Sequence, residues 1–238
     1  MSNTLTDSDL MNIHVSALFT HNAESRLLFV NEPDSQSAPA PRLFLGRTRD
    51  GNIWRFRADL PEDLVEELNS LCADEPPLDI EFNDPPRYVE RYLFLLERHT
   101  PVEEISRGPA YYFPENIIPL RPVVALTEND AERLQNGFEE LVTELPAWQP
   151  FVALIKKGRA ASVCRSARIT PEAHEAGVET LPEFRGNAYA TEVVADWARL
   201  VLKAAAIPLY STSWKNVASQ AVARKLRLKL YGADFHVT

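Results

Sequence analysis

The chain has 238 residues, of which 45% are hydrophobic, and a formal net charge of −9 at pH 7. This length and composition are typical of one large globular domain or two small ones, and they exclude wholesale disorder. No apolar run approaches the roughly 20 residues that span a membrane, and the polar, acidic start of the chain lacks a cationic signal segment, so we expect a cytoplasmic protein without membrane partners.

The charge is distributed unevenly. Residues 1–120 contain ten arginines, no lysine and 21 aspartates and glutamates, a net charge of −11, whereas residues 121–238 carry +2. This asymmetry predicts two units that meet in the proline-bearing segment 114–122, so we expect domains at 1–120 and 121–238. A chain this acidic is poorly suited to general binding of nucleic acid, but its second half suits a phosphorylated cofactor.

The first half has the pattern of a smaller α+β domain, and no motif in it indicates its role. Leu10, Ile13, His14 and Ala17 have the spacing of one helix face. The expected elements, in chain order, are a helix at 7–19, a strand at 26–31, a loop at 34–41, hairpin strands at 42–49 and 53–57, helices from 60 and over 87–98, and an aromatic strand at 108–113.

The second half predicts an antiparallel meander followed by two strand–helix pairs. Thr127 and Asp130 have the spacing of a helix-capping box. The expected elements are a strand at 123–126, a helix from 127 to 142, strands at 151–155, 161–169 and 174–181, a helix from 188 to 206, a strand at 208–212, a helix from 214 and a strand at 230–237.

Residues 176–190 predict a strand, a tight turn and a helix. Pro182 ends the strand, Gly186 gives the turn its conformational freedom, and Asn187 is the expected N-cap of a helix that begins near Ala188. The first turn of such a helix has unpaired N–H groups and the positive end of the helix dipole, and Arg185 adds a positive charge. The sequence therefore predicts a polyphosphate site at this turn.

This turn resembles the acetyl-coenzyme A signature of the GNAT superfamily of N-acetyltransferases, Arg/Gln-x-x-Gly-x-Gly/Ala. Arg185, Ala188 and Ala190 occupy the three defined positions, and Ala188 replaces the central glycine. Asn216 and Ser219 resemble a second family pattern, Asn-x-x-Ser/Ala, which lies near the pantetheine arm of the cofactor.

The second pattern is incomplete. Lys225 and Leu226 match its Tyr-x-Lys-Leu ending, but Ala223 stands where the family often has a tyrosine that acts as general acid. The resemblance covers about residues 122–238 and implies a GNAT-like fold, a mixed and mostly antiparallel sheet flanked by helices. The chain ends where the final strand of that fold is expected, so this strand is absent, or is replaced by another segment or by a second subunit.

The resemblance also implies a function. An amine attacks the thioester of acetyl-CoA directly in a ternary complex, without a metal and without a covalent enzyme intermediate. Backbone amides near Val178 would hold pantetheine, and those that follow Arg185 would hold the pyrophosphate. The expected cofactor-binding residues are Val178, Glu179, Thr180, Arg185, Gly186, Asn187, Ala188, Tyr189, Ala190, Thr191, Asn216 and Ser219.

Two residues are candidates for the base that accepts the amine proton. His174 lies where several members of the family place a base, and Glu175 takes this position if the strand carries the bulge common in the family, because a bulge exchanges the two faces. With Ala223 unable to donate a proton, Ser219 is the candidate acid, and unassisted departure of the thiolate is the alternative.

Three classes of function remain open at this level. The first is an N-acetyltransferase whose acidic N-terminal half helps to build a pocket for a small cationic amine or forms a homodimer contact. The second is a degenerate domain that binds CoA or acyl-CoA as a sensor without turnover, which Ala188 and Ala223 favour. The third is an interaction protein without a cofactor.

Overall fold

A computed structural model describes residues 5–33, 38–79, 82–114 and 117–238. Part of the loop expected at 34–41 and part of the segment 114–122 lie outside the described residues. The α-helices are α1 (Asp7–Leu18), α2 (Glu62–Ala73), α3 (Val89–Glu97), α4 (Tyr189–Lys203) and α5 (Val217–Leu226). None of the helices in these ranges is long and apolar enough to cross a membrane.

The strands form a two-stranded and a nine-stranded sheet. They are β1 (Phe19–His21), β2 (Leu27–Val30), β3 (Leu43–Arg47), β4 (Asn52–Phe56), β5 (Ile105–Tyr112), β6 (Val124–Ala125), β7 (Phe151–Lys156), β8 (Arg159–Ile169), β9 (Ala173–Thr180), β10 (Ile207–Ser211) and β11 (Lys229–Val237). The large sheet has the order β4-β3-β11-β5-β10-β9-β8-β7-β6, and β9–β10 is the only parallel pair among its described strands. The expectation of a mixed, mostly antiparallel sheet flanked by helices is confirmed.

Strand β5 lies inside the large sheet, between the last two strands of the chain. It pairs antiparallel with β10 on one side and with β11 on the other. Another segment of the same chain, taken from its N-terminal half, therefore fills this place in the sheet.

The two halves of the sequence share one sheet and four hydrophobic clusters, two of which show the connection most clearly. Phe235 and Val237 pack with the side chains of α2 and α3, and Ala173 packs with those of α1. These contacts argue against two independently folding halves, because neither cluster is complete without the other half. The domain boundary expected near residue 120 stays a prediction.

Helices cover both faces of the large sheet. On β3, Phe44 packs towards α1, whereas its neighbours Leu43 and Leu45 pack towards α2 and α3. On β10, Leu209 belongs to the α1 cluster and Tyr210 to the cluster of α4 and α5. Because side chains alternate along a strand, α1 lies on one face and the other four α-helices lie on the opposite face.

Two expectations in the second half are wrong. The segment 127–142 is not one α-helix but two 3₁₀ helices, Glu128–Leu134 and Glu139–Leu141, although the capping box at Thr127 is present. Asn136 and Gly137 interrupt it with φ angles of 65° and 141°, which no helix accommodates. The last helix begins at Val217 rather than at residue 214, because Asn216 is its N-cap.

Gly108 offers a test of the insertion of β5. A Cβ atom added at Gly108 would lie 1.7 Å from the backbone oxygen of Thr212, at the end of β10. We therefore expect Gly108→Ala to lower the free energy of unfolding by roughly 3 kcal/mol, since backbone cannot yield as a side chain does. Denaturant unfolding measures the change.

Gly158→Ala is the control. Gly158 has a φ of 83° but no atom within 4 Å of an added Cβ, so only backbone strain of about 1 kcal/mol is expected. Equal losses in the two variants would show that β5 does not lie against β10 as described.

Candidate functional site

A cleft of about 760 Å³ opens between the end of β9, the turn that follows it, the first turn of α4 and one side of α5. It brings together two segments that are separated by about 25 residues of sequence. The expected cofactor-binding residues that line it are Val178, Glu179, Thr180, Arg185, Gly186, Ala188, Tyr189, Ala190, Thr191, Asn216 and Ser219. Asn187 does not line it.

The edge of β9 inside this cleft lacks a partner strand. Strands β9 and β10 pair at three positions, the last of which joins Glu175 to Leu209. Beyond it, residues 176–180 pair with β8 on one side, and no described strand pairs with them on the other. Their backbone groups on that side are therefore available for an extended ligand containing amides.

The residue that caps α4 differs from the expected one. Ala188, not Asn187, is the N-cap of α4, and it adopts a left-handed conformation with φ 60° and ψ 20°. The side-chain amide of Asn187 instead donates hydrogen bonds to the carbonyl oxygens of Phe184 and Arg185. Asn187 thus stabilises the turn, and the expectation that it caps the helix is wrong.

Positive charge gathers around the start of α4. The guanidinium of Arg121 and the ammonium of Lys156 lie 5.3 and 5.5 Å from the centre of the Tyr189 ring. Arg121 also donates a 2.7 Å hydrogen bond to the carbonyl oxygen of Asn187. Sequence reasoning missed Arg121 and Lys156, because neither belongs to a motif and only long-range pairing brings them here.

Two carboxylates in or beside the cleft have polar partners. Glu192, in the first turn of α4, is buried and accepts hydrogen bonds from the backbone amides of Leu120 and Arg121. Glu179 forms a 2.6 Å ion pair with Arg165. The cleft therefore suits an anionic ligand in spite of these two carboxylates.

Ser219 meets a buried tyrosine at the wall of the cleft. The hydroxyl oxygens of Ser219 and Tyr210 lie 2.5 Å apart, and burial is the main reason why the pKa of Tyr210 is raised. Asn216 accepts a 3.0 Å hydrogen bond from the backbone amide of Ser219 and so fixes the first turn of α5. Ala223 is buried one turn further along α5.

His174 lies outside the cleft, beneath α4. Its Nδ1 is 2.8 Å from the hydroxyl of Ser166, which accepts a 3.0 Å hydrogen bond from the buried indole of Trp197. Burial lowers the pKa of His174. The strand rise places it roughly 13 Å from Val178.

Glu175 lies on the opposite face, where β9 and β10 separate. One of its oxygens accepts a hydrogen bond from the backbone amide of Ser211, and the other faces the ring of His14. Burial raises the pKa of Glu175, which the charge of His14 and the bond from Ser211 offset in part. The bulge expected in this strand lies instead in its partner β8, between Ser166 and Arg168, so β9 alternates without interruption.

No protein-family model matches the sequence, and no curated protein matches it. Among solved structures, a GNAT-family protein from Novosphingobium aromaticivorans aligns with 57% of this chain and 65% of its own, just under two thirds, at 16% identity and a TM-score of 0.46. A GCN5-related N-acetyltransferase-like protein from Streptococcus suis aligns over 84% and 85% at 14% identity and a TM-score of 0.45. An acetyltransferase of the GNAT family from Colwellia psychrerythraea aligns over 82% and 81% at 11% identity and a TM-score of 0.45.

The left-handed conformation of Ala188 gives a stability test of the turn. A residue with a side chain costs about 1 kcal/mol at such a φ, whereas glycine does not. We expect Ala188→Gly to raise the free energy of unfolding by up to about 1 kcal/mol. In the control, Ala190→Gly within α4, the same change should lower it by roughly 0.5–1 kcal/mol. A loss of stability in both variants would contradict the described turn.

Proposed function

We propose that the chain is a GNAT-type acyltransferase that transfers acetyl from acetyl-CoA to an amine by direct attack in a ternary complex. The observation that carries the proposal is the unpaired edge of β9, residues 176–180, which leads to a cationic helix N-terminus. We propose a cytoplasmic location, where the two buried thiols, Cys72 and Cys164, would stay reduced.

The residues of the cleft fit the chemical parts of acetyl-CoA. Its pyrophosphate would bind to the guanidinium of Arg185 and to the N–H groups at the start of α4. Its pantetheine amides would bind the free backbone edge of Val178 to Thr180, beside Asn216 and Ser219. Bound there, acetyl-CoA supplies an activated acyl group. No metal is needed for this chemistry, so the proposal includes none.

Glu175 is the residue that we favour as proton acceptor. It lies where the unpaired edge begins, and burial raises its pKa above the ordinary carboxylate value, which makes it a stronger base. His174 is the alternative. It is half-buried, and its Nδ1 is engaged by Ser166. The acceptor class that we propose is a small amine.

Ser219 would stabilise the leaving thiolate by hydrogen bonding. A thiol has an ordinary pKa near ~8.5, well below the raised pKa of Tyr210, so full proton transfer from the tyrosine is unfavourable. Tyr210 can instead donate to the oxygen of Ser219 and leave the serine proton free to point into the cleft. This pair would replace the tyrosine whose usual place is taken by Ala223.

Calorimetry with acetyl-CoA tests the binding step. We expect the wild-type protein to bind acetyl-CoA and Arg185→Ala to weaken binding about 10-fold, the effect of losing one charge-assisted contact. Arg98→Ala is the control, because Arg98 pairs with Glu67 between α2 and α3, away from the cleft. Absence of binding to the wild-type protein would refute both the enzyme and the sensor. Binding without CoA release across a panel of amines would favour the sensor.

Steady-state kinetics test the role of the hydroxyl pair. We expect Tyr210→Phe to lower kcat about 10-fold without changing the affinity for acetyl-CoA. Without the Tyr210 hydroxyl, nothing orients the hydroxyl proton of Ser219 towards the leaving thiolate. Tyr111→Phe is the control and should leave kcat unchanged. It removes the hydroxyl of a neighbouring tyrosine, whose ring centre lies 6.4 Å from the ring centre of Tyr210. A Tyr210→Phe variant with wild-type kcat would remove Tyr210 from the mechanism.

A further inference from the structure

Three ionisable side chains are buried together on the α1 face of the sheet, and none of them lines the cleft. His14 of α1 is 0% exposed, Glu175 of β9 is 5% exposed and Asp234 of β11 is 8% exposed. Taking ionisable groups out of water costs several kcal/mol each unless they are paired. Three separate parts of the sequence contribute to this group, which we call the buried triad.

The geometry of the buried triad fixes the tautomer of the neutral histidine. His14 Nε2 lies 3.2 Å from a carboxylate oxygen of Asp234, which can only accept, so Nε2 carries the proton. The lone pair of Nδ1 then faces Glu175 Oε2 at 3.6 Å. Neither of these two atoms has a hydrogen-bond partner among the described residues. A proton on either atom, together with a small closing movement, would turn this contact into a hydrogen bond.

The surroundings favour a proton held between Glu175 and His14. Burial lowers the pKa of His14, but the hydrogen bond to Asp234 and the charge of Glu175 outweigh it, so the pKa is raised. Burial would raise the pKa of Asp234, but the charge of His236 and the hydrogen bond from His14 outweigh it and lower the pKa.

Other charged and titratable groups face the buried triad from the strands packed against it. His236 Nε2 lies 3.7 Å from Asp234, and the hydroxyl of Tyr231 is buried with no hydrogen-bond partner among the described residues. Arg168 of β8 acts on Glu175 by its charge and is itself paired with Glu32 at 2.8 Å. Arg168 and His236 are the cationic or basic neighbours, and neither contacts Glu175 by a hydrogen bond.

We propose that His14 and Asp234 are positioning residues of the transfer reaction, and that His14 stores the proton that Glu175 takes from the acceptor amine. This inference rests on the proposed function. The amine nitrogen bonds to the thioester carbon and loses one proton to the Glu175 carboxylate, which passes it to His14 Nδ1. The carbon–sulfur bond breaks, the thiolate takes one proton from solvent, and His14 releases its proton after the amide leaves. Helix α1 thereby gives the N-terminal half a part in catalysis.

The pH profile of kcat/KM for His14→Asn tests this role. Only neutral His14 can accept the proton, so the acidic limb of the wild-type profile should follow the raised pKa of His14, and His14→Asn should abolish that limb. The plateau should fall roughly 10- to 100-fold. Binding of acetyl-CoA should be unchanged, because none of the three residues of the buried triad lines the cleft. His21→Asn on β1 is the matched control and should keep the wild-type profile.

A second measurement needs neither activity nor a stable variant. Imidazole ¹⁵N spectra of the wild-type protein should show neutral His14 as the Nε2–H tautomer, and Glu175→Gln should shift its titration. The Nδ1–H tautomer, or a His14→Asn enzyme with an unmoved pH profile, would overturn the inference while leaving the proposed function standing. A wild-type protein that binds acetyl-CoA but never turns over would overturn both, and one that does not bind it would refute the cofactor site first.

Discussion

The structure depends on the point where β9 and β10 stop pairing. These parallel strands share three residue pairs and then separate after Glu175 and Leu209. The separation leaves one edge of β9 free, and α4 and α5 begin on either side of the gap. A bond from the Ser211 amide to Glu175 spans the point of separation, so a carboxylate holds the two strands where their backbone pairing ends. The cleft exists because this pairing is short.

The N-terminal half stabilises the β10 side of that gap. Strand β5 lies between β10 and β11. Without β5, the edge of β10 that faces it would be unpaired unless β11 moved to take its place. The close approach of Gly108 to the backbone of Thr212 shows how tightly the inserted strand is packed. The charge asymmetry that predicted two domains reports on the protein surface. The charge distribution carries no information about which strands share a sheet. A division based on charge therefore falls between strands that belong to the same sheet.

Local signals in the sequence predicted local structure well. The capping box at Thr127 and the hairpin turn at Gly51 act within three or four residues, and the structure contains both of them. The N-cap of α4 could not be predicted in this way. Asn187 is the better cap by propensity, but the left-handed Ala188 takes that position and the Asn187 side chain bonds back to the turn.

Side chains that act through distant partners were beyond the sequence, and the buried triad shows why. His14 has the spacing of the apolar face of α1, which correctly indicates burial, and a buried histidine needs polar partners. Those partners lie 161 and 220 residues further along the chain, on β9 and β11. Only the sheet order brings them together, because β11 reaches β9 through β5 and β10 while α1 crosses the same face. The residue that a periodic pattern assigns to the core is thus the one that ties the N-terminal helix to the point where the cleft begins.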